Sequence, residues 1–390
     1  MRHSETLVVG GGVMGLSIAW GLARKGLQVN LIDAGGAEPR ASVANFGLVW
    51  LQSKGYGFPA YAQWTRKAID KWTTFADDLL QCSGIDPHYR RTGGLAYCLG
   101  EAEWHSRTER MLRMRAAHTF DPYESEMIDR IQLEKLMPGV GFGSEVTGAC
   151  WNPHDSAVDP LRLMHALRIS ADRSGVKFST RGRAIGVVPS SEGFKVLMES
   201  GEKIFGERIV LAAGLGNPEL AKAVDIDQPV HSDRGQIIVT ERLSLRLPLP
   251  ANGLRQTLDG TVMIGATKEG LDRDVQVTNP LRTTVTAARA VRTVPALGRA
   301  RVVRVWAGLR TLSNDAAPVY SRSSRWPGAI AINCHSGITL APLHSTVLAD
   351  WVLGNRRQTA SEDLSQNNQP ALDESLISFS PKRFHVPTLG

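Results

Sequence analysis

Cysteine is scarce in this chain, which has four among its 390 residues, at positions 82, 98, 150 and 334. No two of them have the Cys-x-x-Cys spacing of a metal or iron–sulfur site, so we predict no bound metal and no cluster. Uninterrupted apolar runs of about 20 residues are also missing, so we predict no membrane span. Because residues 1–5 alone precede the first predicted strand, we expect no signal peptide, a cytoplasmic location and reduced thiols.

Basic residues outnumber acidic ones, giving a formal net charge of +7. The arginines at 107–115 and 299–310 are not interleaved with aromatic residues as in nucleic-acid-binding motifs, so we predict no nucleic-acid partner. We interpret the charge as solvated faces, with some attraction for an anionic substrate or an acidic partner subunit. The length favours two domains, and because no low-complexity linker divides the chain we expect them to interleave.

Three glycines near the amino terminus have the spacing of a dinucleotide-binding turn. A strand-like run at residues 6–9 leads into Gly10, Gly12 and Gly15, followed by a helix-like stretch and a second strand that ends at Asp33. In this pattern the first glycine makes the tight turn, the second admits the pyrophosphate and the third lets helix and strand pack closely. The helix amino terminus attracts phosphate, and the acid accepts hydrogen bonds from a ribose. The pattern predicts a bound dinucleotide.

Apolar spacing predicts the elements that follow. One amphipathic helix is predicted over 61–81, and a second helix over 101–118, whose arginines form a solvated face. A third helix is predicted to begin after Asp159 and Pro160, a favourable cap followed by a first-turn proline, and to end at Gly175. Strands are predicted within 176–211, at 236–239, at 261–265 and at 329–332, and a last helix over 339–353.

Several motifs together resemble the FAD-dependent D-amino-acid oxidase superfamily. They are the glycine turn, Ala-Ala-Gly at 212–214, Trp-Ala-Gly-Leu-Arg at 306–310 and Gly-Ile-Thr-Leu-Ala-Pro at 337–342. Within it, residues 44–50, 334–337 and 379–384 are similar to the flavin B subunits of opine oxidases. Related β subunits occur in D-hydroxyproline dehydrogenase and hydrogen cyanide synthase.

The resemblance implies an α/β (α+β) fold. A Rossmann-like FAD-binding domain of the glutathione-reductase-like type would be formed by residues 1–55, 140–220 and 300–390. An interleaved mixed-sheet substrate domain would be formed by residues 56–139 and 221–299. The strand-to-helix turn at 337–340 would lie against the flavin, where a helix amino terminus stabilises the negative charge of the reduced ring.

The resemblance also implies which residues bind FAD. They are Gly10, Gly12, Val13, Met14, Gly15, Asp33, Ala34, Ser42, Asn45, Phe46, Gly47, Ile185, Ala213, Gly214, Gly308, Gly337, Ile338, Thr339 and Leu340. The loop at 45–47 would border the flavin, and residues 183–187 would pass the adenine through backbone contacts. Because Gly308 stands where some relatives carry a flavin-linking cysteine, we expect no covalent link there.

Arg310 and His335 are the predicted catalytic residues. Arg310 matches the family arginine that reaches the substrate, and a guanidinium binds a carboxylate through two parallel hydrogen bonds. His335 replaces a second arginine of glycine-oxidase-like relatives, which favours a larger or secondary amine. It would accept a proton from the substrate ammonium or bond a carboxylate, and a buried structural histidine is an equally good interpretation.

The resemblance implies oxidation of a carbon–nitrogen bond, most simply that of an opine such as octopine or nopaline, to an imine that hydrolyses to an amino acid and an oxo acid. Other subunits carrying a second flavin, a nucleotide or an iron–sulfur centre would be partners. Three alternatives stay open: a D-hydroxyproline dehydrogenase β subunit, a stand-alone glycine-, sarcosine- or aminophosphonate-type oxidase, and a non-catalytic flavoprotein. The sequence does not decide whether Lys54, His231 or Lys268 lines the pocket.

Overall fold

The computed structural model describes residues 3–35, 41–117, 123–180, 182–271, 278–354 and 376–385. Its strands are β1 (His3–Val9), β2 (Val29–Ile32), β3 (Leu48–Val49), β4 (Gly94–Leu99), β5 (Glu126–Asp129), β6 (Val146–Asn152), β7 (Ser156–Ala157), β8 (Lys177–Ser179), β9 (Ala184–Ser190), β10 (Gly193–Met198), β11 (Lys203–Leu211), β12 (His231–Arg242), β13 (Leu254–Gln256), β14 (Thr261–Gly265), β15 (Val302–Leu312), β16 (Val319–Arg322) and β17 (Ala329–Asn333).

The helices connect these strands and cover their faces. They are α1 (Val13–Ala23), α2 (Pro59–Asp70), α3 (Trp72–Ser83), α4 (Glu101–Ala116), α5 (Arg130–Leu136), α6 (Pro160–Arg173), α7 (Asn217–Lys222), α8 (Pro280–Thr293), α9 (Ala341–Ser345) and α10 (Val347–Leu353), with short 3-10 turns at Gly214–Gly216, Pro295–Arg299 and Pro381–Phe384. None of the helices that the structure describes is long and apolar enough to cross a membrane.

A mostly parallel sheet forms the centre of the first half of the fold. Its strand order is β16-β17-β11-β1-β2-β8, and the β9-β10 hairpin pairs with β11. Strand β1 lies between β2 and β11 and is parallel to both. Because parallel strands need a crossover, α1 joins β1 to β2, and all eleven of its residues are buried. This is the mixed α/β arrangement that the sequence predicts.

A second group of strands is antiparallel. Strands β13, β14, β12 and β15 form one sheet in that order, and β4, β6 and β5 form another. The two are joined by a bridge between Leu95 and Ala251 and share an apolar core with α5 and α8. Near the end of β15, the Thr311 hydroxyl lies 3.5 Å from where a Cβ atom on Gly214 would be, just after β11 of the first sheet. Strand β15 therefore reaches the end of β11 in the first sheet. The residue bounds of the two domains stay a prediction.

The sequence prediction of one helix over 61–81 is wrong in one respect, because the chain forms α2 and α3 with a break at Lys71. Directly after the break, Trp72 is buried and its indole N–H donates to the Thr339 carbonyl over 2.8 Å. The apolar spacing continues across the break, so the pattern alone does not reveal it. The predicted last helix is similarly divided, into α9 and α10, at Thr346.

Other predicted elements are confirmed. Helix α6 begins after Asp159, whose carboxylate accepts hydrogen bonds from the backbone N–H groups of Leu161 and Arg162, and Gly175 follows it with φ of 88°. Strands β8 to β11 occupy the predicted strand region, and β14 covers the predicted 261–265. Helix α4 covers most of the predicted 101–118, of which residue 118 lies outside the described residues.

Candidate active site

The turn between β1 and α1 approaches the end of β11 closely. Gly10 has φ of 110°, and a Cβ atom there would lie 2.6 Å from the Ala212 carbonyl carbon and 2.9 Å from the Ala213 Cα. A Cβ atom on Gly15 would overlap the Gly10 carbonyl oxygen. Side chains are therefore excluded at both positions, and the α1 amino terminus faces an open space between the two strand ends.

Asp33, at the end of β2, is fixed beside this turn. One of its carboxylate oxygens accepts a hydrogen bond from the Gly11 N–H over 2.7 Å, and the other accepts one from the Gly35 N–H over 3.0 Å. Across the turn, the Ser42 hydroxyl accepts a hydrogen bond from the Val13 N–H over 3.0 Å. The two backbone bonds hold the Asp33 carboxylate at the edge of the open space, and because a carboxylate has about four lone pairs it can accept further hydrogen bonds there.

A cavity of about 730 Å³ opens at this turn. The predicted FAD-binding residues that line it are Gly10, Gly12, Val13, Met14, Asp33, Ala34, Ser42, Asn45, Ile185, Ala213, Gly214, Gly337 and Ile338. Arg183 and Ala184 line it as well, whereas Gly186 and Val187 do not. We call it the cofactor cavity.

A second cavity of about 880 Å³ lies against the first, and we call it the substrate cavity. Its walls include the predicted FAD-binding residues Phe46, Gly308 and Thr339 and the predicted catalytic residue Arg310. Three other predicted FAD-binding residues, Gly15, Gly47 and Leu340, line neither cavity. Residues that line both are Ala41, Asn45, Leu309, Thr311, Cys334, His335 and Ile338. The two cavities are therefore continuous, and the structure brings most of the predicted site together.

The turn after β17 forms the boundary between the cavities. The backbone N–H groups of Gly337, Ile338 and Thr339 donate to no acceptor in the part of the chain that the structure describes. A Cβ atom on Gly337 would lie 3.0 Å from a Val13 methyl carbon, so the turn packs on the start of α1. Helix α9 begins only at Ala341 and has five residues, so its dipole is weaker than the sequence prediction of a longer helix implies.

These observations fit FAD. The glycine turn leaves no room for side chains, Asp33 presents a fixed carboxylate, and the 337–339 turn offers N–H donors that lack partners among the described residues. FAD would be held by the glycine turn at its pyrophosphate, by Asp33 at its ribose and by the 337–339 turn at its ring. A dinucleotide passing from the cofactor cavity into the boundary with the substrate cavity meets both sets of groups.

His335 stands at this boundary and has no hydrogen-bond partner among the described residues. Its pKa is lowered well below the ordinary value, first by burial and then by the charges of Lys54, Arg310 and Lys268. The imidazole is therefore neutral at pH 7. The absence of a partner favours a chemical role over a structural one for this histidine.

Arg310, the other predicted catalytic residue, is engaged by the protein itself. One terminal nitrogen of its guanidinium donates to Asp233 over 2.8 Å and to the Arg234 carbonyl over 3.3 Å. The other donates to the Thr267 carbonyl over 2.7 Å. Arg310 lines the substrate cavity, but its charge is balanced by Asp233, a contact that the sequence does not reveal.

The lysines that the sequence left undecided line the substrate cavity. Lys54 and Lys268 lie in its wall, whereas His231 does not. The Lys54 ammonium donates to the Ser336 hydroxyl over 2.5 Å, and the same hydroxyl accepts a hydrogen bond from the Tyr61 hydroxyl over 2.7 Å. Burial lowers the pKa of Lys54.

Two arginines of α4 are functional candidates that the sequence missed. Both lie on the helix face that we predict to be solvated, and both line the substrate cavity; Arg110 is exposed, as predicted, whereas Arg107 is half-buried. Their spacing of three is the one signal that they share a helix face.

Comparisons with known proteins agree with this geometry. A family model described as FAD dependent oxidoreductase matches residues 5–351. The chain is 36% identical over 387 residues to the B subunit of opine oxidase from Agrobacterium tumefaciens (strain Ach5), covering 99% of each chain. It is 34% identical over 384 residues to the opine oxidase B subunit from Rhizobium meliloti, covering 98% of each. The crystal structure of glycine oxidase from Geobacillus kaustophilus superposes with a TM-score of 0.80 at 21% identity, covering 97% of this chain and 98% of that one.

Proposed function

Since the chain belongs to the D-amino-acid-oxidase-like family of FAD-dependent oxidoreductases, we propose that it oxidises the bridging carbon–nitrogen bond of an opine, a secondary amine flanked by two carboxylates. The observation that carries this proposal is the charge of the substrate cavity. Among the described residues, six cationic side chains line it against one carboxylate: Lys54, Arg107, Arg110, Lys268, Arg289 and Arg310 against Glu103. Such a wall suits a substrate with more than one carboxylate better than glycine or sarcosine, which have one.

Two of these cations form ion pairs within the protein. Arg289 forms a bidentate pair with Glu103, and Arg310 pairs with Asp233. Lys54, Arg107, Arg110 and Lys268 form no ion pair with any described residue. The positive charge of the cavity attracts the carboxylates of a substrate.

When bound, FAD supplies the two-electron acceptor for the oxidation. The protein residues orient the substrate and manage its proton. A secondary amine is protonated in water near neutral pH, and the carbon–nitrogen bond can be oxidised to an imine only after that proton leaves. His335 lies at the boundary of the two cavities and has no hydrogen-bond partner among the described residues, so it is the candidate acceptor for this proton. Water then adds to the imine carbon, and the bond to nitrogen breaks to give an amino acid and an oxo acid.

The relatives named as B subunits of opine oxidase support a further proposal, that this chain works with a partner subunit. No group of three or more metal-ligating side chains occurs among the described residues, so an iron–sulfur centre in the complex would belong to the partner. Electrons would then leave through the partner rather than directly to oxygen.

Anaerobic flavin reduction tests the substrate. The purified holoenzyme is mixed with octopine, nopaline, D-hydroxyproline, sarcosine or glycine, and the flavin absorbance is followed before and after air is admitted. We expect an opine to bleach the flavin, and reoxidation in air to be slow. Failure of both opines to bleach it would overturn the substrate proposal, whereas bleaching by glycine or sarcosine with prompt reoxidation would indicate a stand-alone oxidase.

The role of His335 is tested separately. At pH values below the pKa of the substrate ammonium, His335→Asn should slow flavin reduction by about 10²- to 10⁴-fold, which is the usual contribution of a general base. Higher pH should restore much of the rate, because the amine then arrives neutral. His165→Asn, at an exposed position on α6, is the matched control and should leave the profile unchanged. An unchanged profile in His335→Asn would remove this role.

A further inference from the structure

Ser336 lies in the turn after β17, at the wall of the substrate cavity. Its neighbours His335 and Gly337 both line the cofactor cavity, whereas Ser336 lines the substrate cavity and not the cofactor cavity. The residue is buried, with 6% of its surface exposed. A polar group at this position is therefore placed to meet the substrate rather than FAD.

Two donors converge on the Ser336 hydroxyl oxygen. The Lys54 ammonium donates to it over 2.5 Å, and the Tyr61 hydroxyl donates to it over 2.7 Å. Burial raises the pKa of Tyr61 far above its ordinary value of 10.0, so this phenol keeps its proton and stays a donor. A hydroxyl oxygen has two lone pairs, and these two hydrogen bonds occupy both of them.

The proton of the Ser336 hydroxyl is left without an acceptor. Only one proton fits between two hydroxyl oxygens 2.7 Å apart, and Tyr61 supplies it. No acceptor among the described residues receives a hydrogen bond from the Ser336 hydroxyl. Because a buried donor that lacks an acceptor is unfavourable, a ligand that brings an acceptor to this proton is bound more tightly.

The charge around Ser336 indicates which acceptor fits. The positive charge of Lys54 lies 2.5 Å from the hydroxyl oxygen and strengthens its O–H as a donor. Lys268 and Arg310 line the same cavity. A carboxylate oxygen accepts hydrogen bonds and carries negative charge, so it suits both the unbonded proton and the surrounding cations.

We propose that Ser336 is a substrate-binding residue, whose hydroxyl donates a hydrogen bond to a carboxylate of the amine substrate. Lys54 and Tyr61 are positioning residues, because they hold the hydroxyl oxygen and direct its proton into the substrate cavity. This rests on the proposed function for the identity of the substrate, but the binding of a carboxylate at Ser336 does not depend on oxidation.

Binding of a compound that cannot be oxidised as an amine tests the proposal. The probe is oxydiacetate, in which two carboxylates flank an ether oxygen, and its dissociation constant is measured by calorimetry on the holoenzyme. Loss of a hydrogen bond to a charged group weakens binding by about 10- to 100-fold. We expect that loss in Ser336→Ala, with the FAD content per chain unchanged.

Ser345→Ala is the matched control. Ser345 is 5% exposed, its hydroxyl donates to the Pro342 carbonyl over 3.0 Å, and it lines neither cavity, so the dissociation constant should not change. Ser336→Cys repeats the test if Ser336→Ala loses its FAD, because a thiol is a weak donor. An unchanged constant in the variant that keeps FAD would overturn the proposal, as would the absence of oxydiacetate binding to the unchanged protein. Loss of FAD from both variants would also overturn it, because Ser336 would then support the cofactor.

Tyr61→Phe shows which hydroxyl supplies the unbonded proton. This variant keeps the Ser336 hydroxyl, so we expect it to lose less affinity for oxydiacetate than Ser336→Ala does. An equal or larger loss would assign the proton to Tyr61 and overturn the role of Ser336.

Flavin reduction by octopine separates binding from chemistry. Ser336→Ala should raise the dissociation constant obtained from the concentration dependence of the reduction rate and change the limiting rate less. A lower limiting rate with an unchanged dissociation constant would overturn the binding role. Tight binding of oxydiacetate combined with no oxidation of octopine would contradict the proposed function alone.

Discussion

Replacing Gly10 by alanine tests whether the cofactor turn tolerates a side chain. The residue has φ of 110°, which L-residues rarely adopt, and its Cβ atom would lie 2.6 Å from the Ala212 carbonyl carbon and 2.9 Å from the Ala213 Cα. Those neighbours are backbone atoms at the end of β11, so they cannot move aside as a flexible side chain would. The turn itself has to shift away from the cofactor cavity.

The size of the effect follows from two contributions. The left-handed conformation costs a residue with a Cβ atom about 1–2 kcal/mol, and overpacking against fixed atoms costs a further ~1–3 kcal/mol. We therefore expect Gly10→Ala to lose about 2–5 kcal/mol of unfolding free energy. Gly175→Ala is the matched control, because Gly175 has φ of 88° but no atom within 4 Å of its would-be Cβ. It should lose the conformational part alone.

The assay is FAD content per chain together with the melting temperature of both variants. Gly10→Ala should purify with little FAD and a melting temperature below that of Gly175→Ala, which should keep its FAD. Full FAD content in Gly10→Ala, with a melting temperature equal to that of Gly175→Ala, would refute the reasoning, because it would mean that the turn has room for a methyl group.

Three further predictions follow from the buried and charged groups. Burial raises the pKa of Asp155 to about 7, above the ordinary value of 3.8. The stability that this carboxyl contributes is therefore fully present below pH 3.8 and is lost as the pH rises through 7. Between pH 5 and pH 8 the melting temperature of Asp155→Asn should fall less than that of the unchanged protein, and parallel falls would contradict this. Of the four free thiols, Cys82 alone is not buried. A water-soluble thiol reagent should therefore label Cys82 first in the native protein. Rapid labelling of a second thiol would contradict the burial of the other three cysteines. The Arg289–Glu103 pair is partly exposed, with 47% and 39% of the two side chains accessible. Glu103→Gln should therefore change the unfolding free energy in a urea titration by less than about 1 kcal/mol. A loss of several kcal/mol would show that the pair is effectively buried.

Local signals account for the parts of the fold that the sequence predicts. The spacing of Gly10, Gly12 and Gly15 between two apolar strands indicates the β1-α1-β2 unit, because each step of that turn depends on neighbours in the chain. The start of α6 is equally local, since Asp159 caps the helix that Pro160 begins. The break at Lys71 could not be predicted because the apolar spacing continues across it. The contact beside it, from the Trp72 indole N–H to the Thr339 carbonyl, joins residues 267 positions apart, which no local signal reveals.

The substrate cavity was less predictable for the same reason. Lys54, Lys268 and Arg107 come from a loop, a strand end and a helix, and only the tertiary fold brings them to one cavity. A lysine or arginine in isolation is most often a surface residue, so the sequence offers little reason to select these three. The pairing of Arg310 with Asp233 is likewise a contact across β12 and β15, which the motif around Arg310 does not reveal.

The products of opine turnover in ¹⁸O-labelled water test the central claim most directly. The holoenzyme is supplied with octopine and an artificial electron acceptor, and the products are analysed by mass spectrometry. Oxidation of the bridging carbon–nitrogen bond predicts arginine and pyruvate in equal amounts, with the label in the pyruvate carbonyl before exchange with the solvent. Unchanged octopine, or products that retain the bridging bond, would contradict the account.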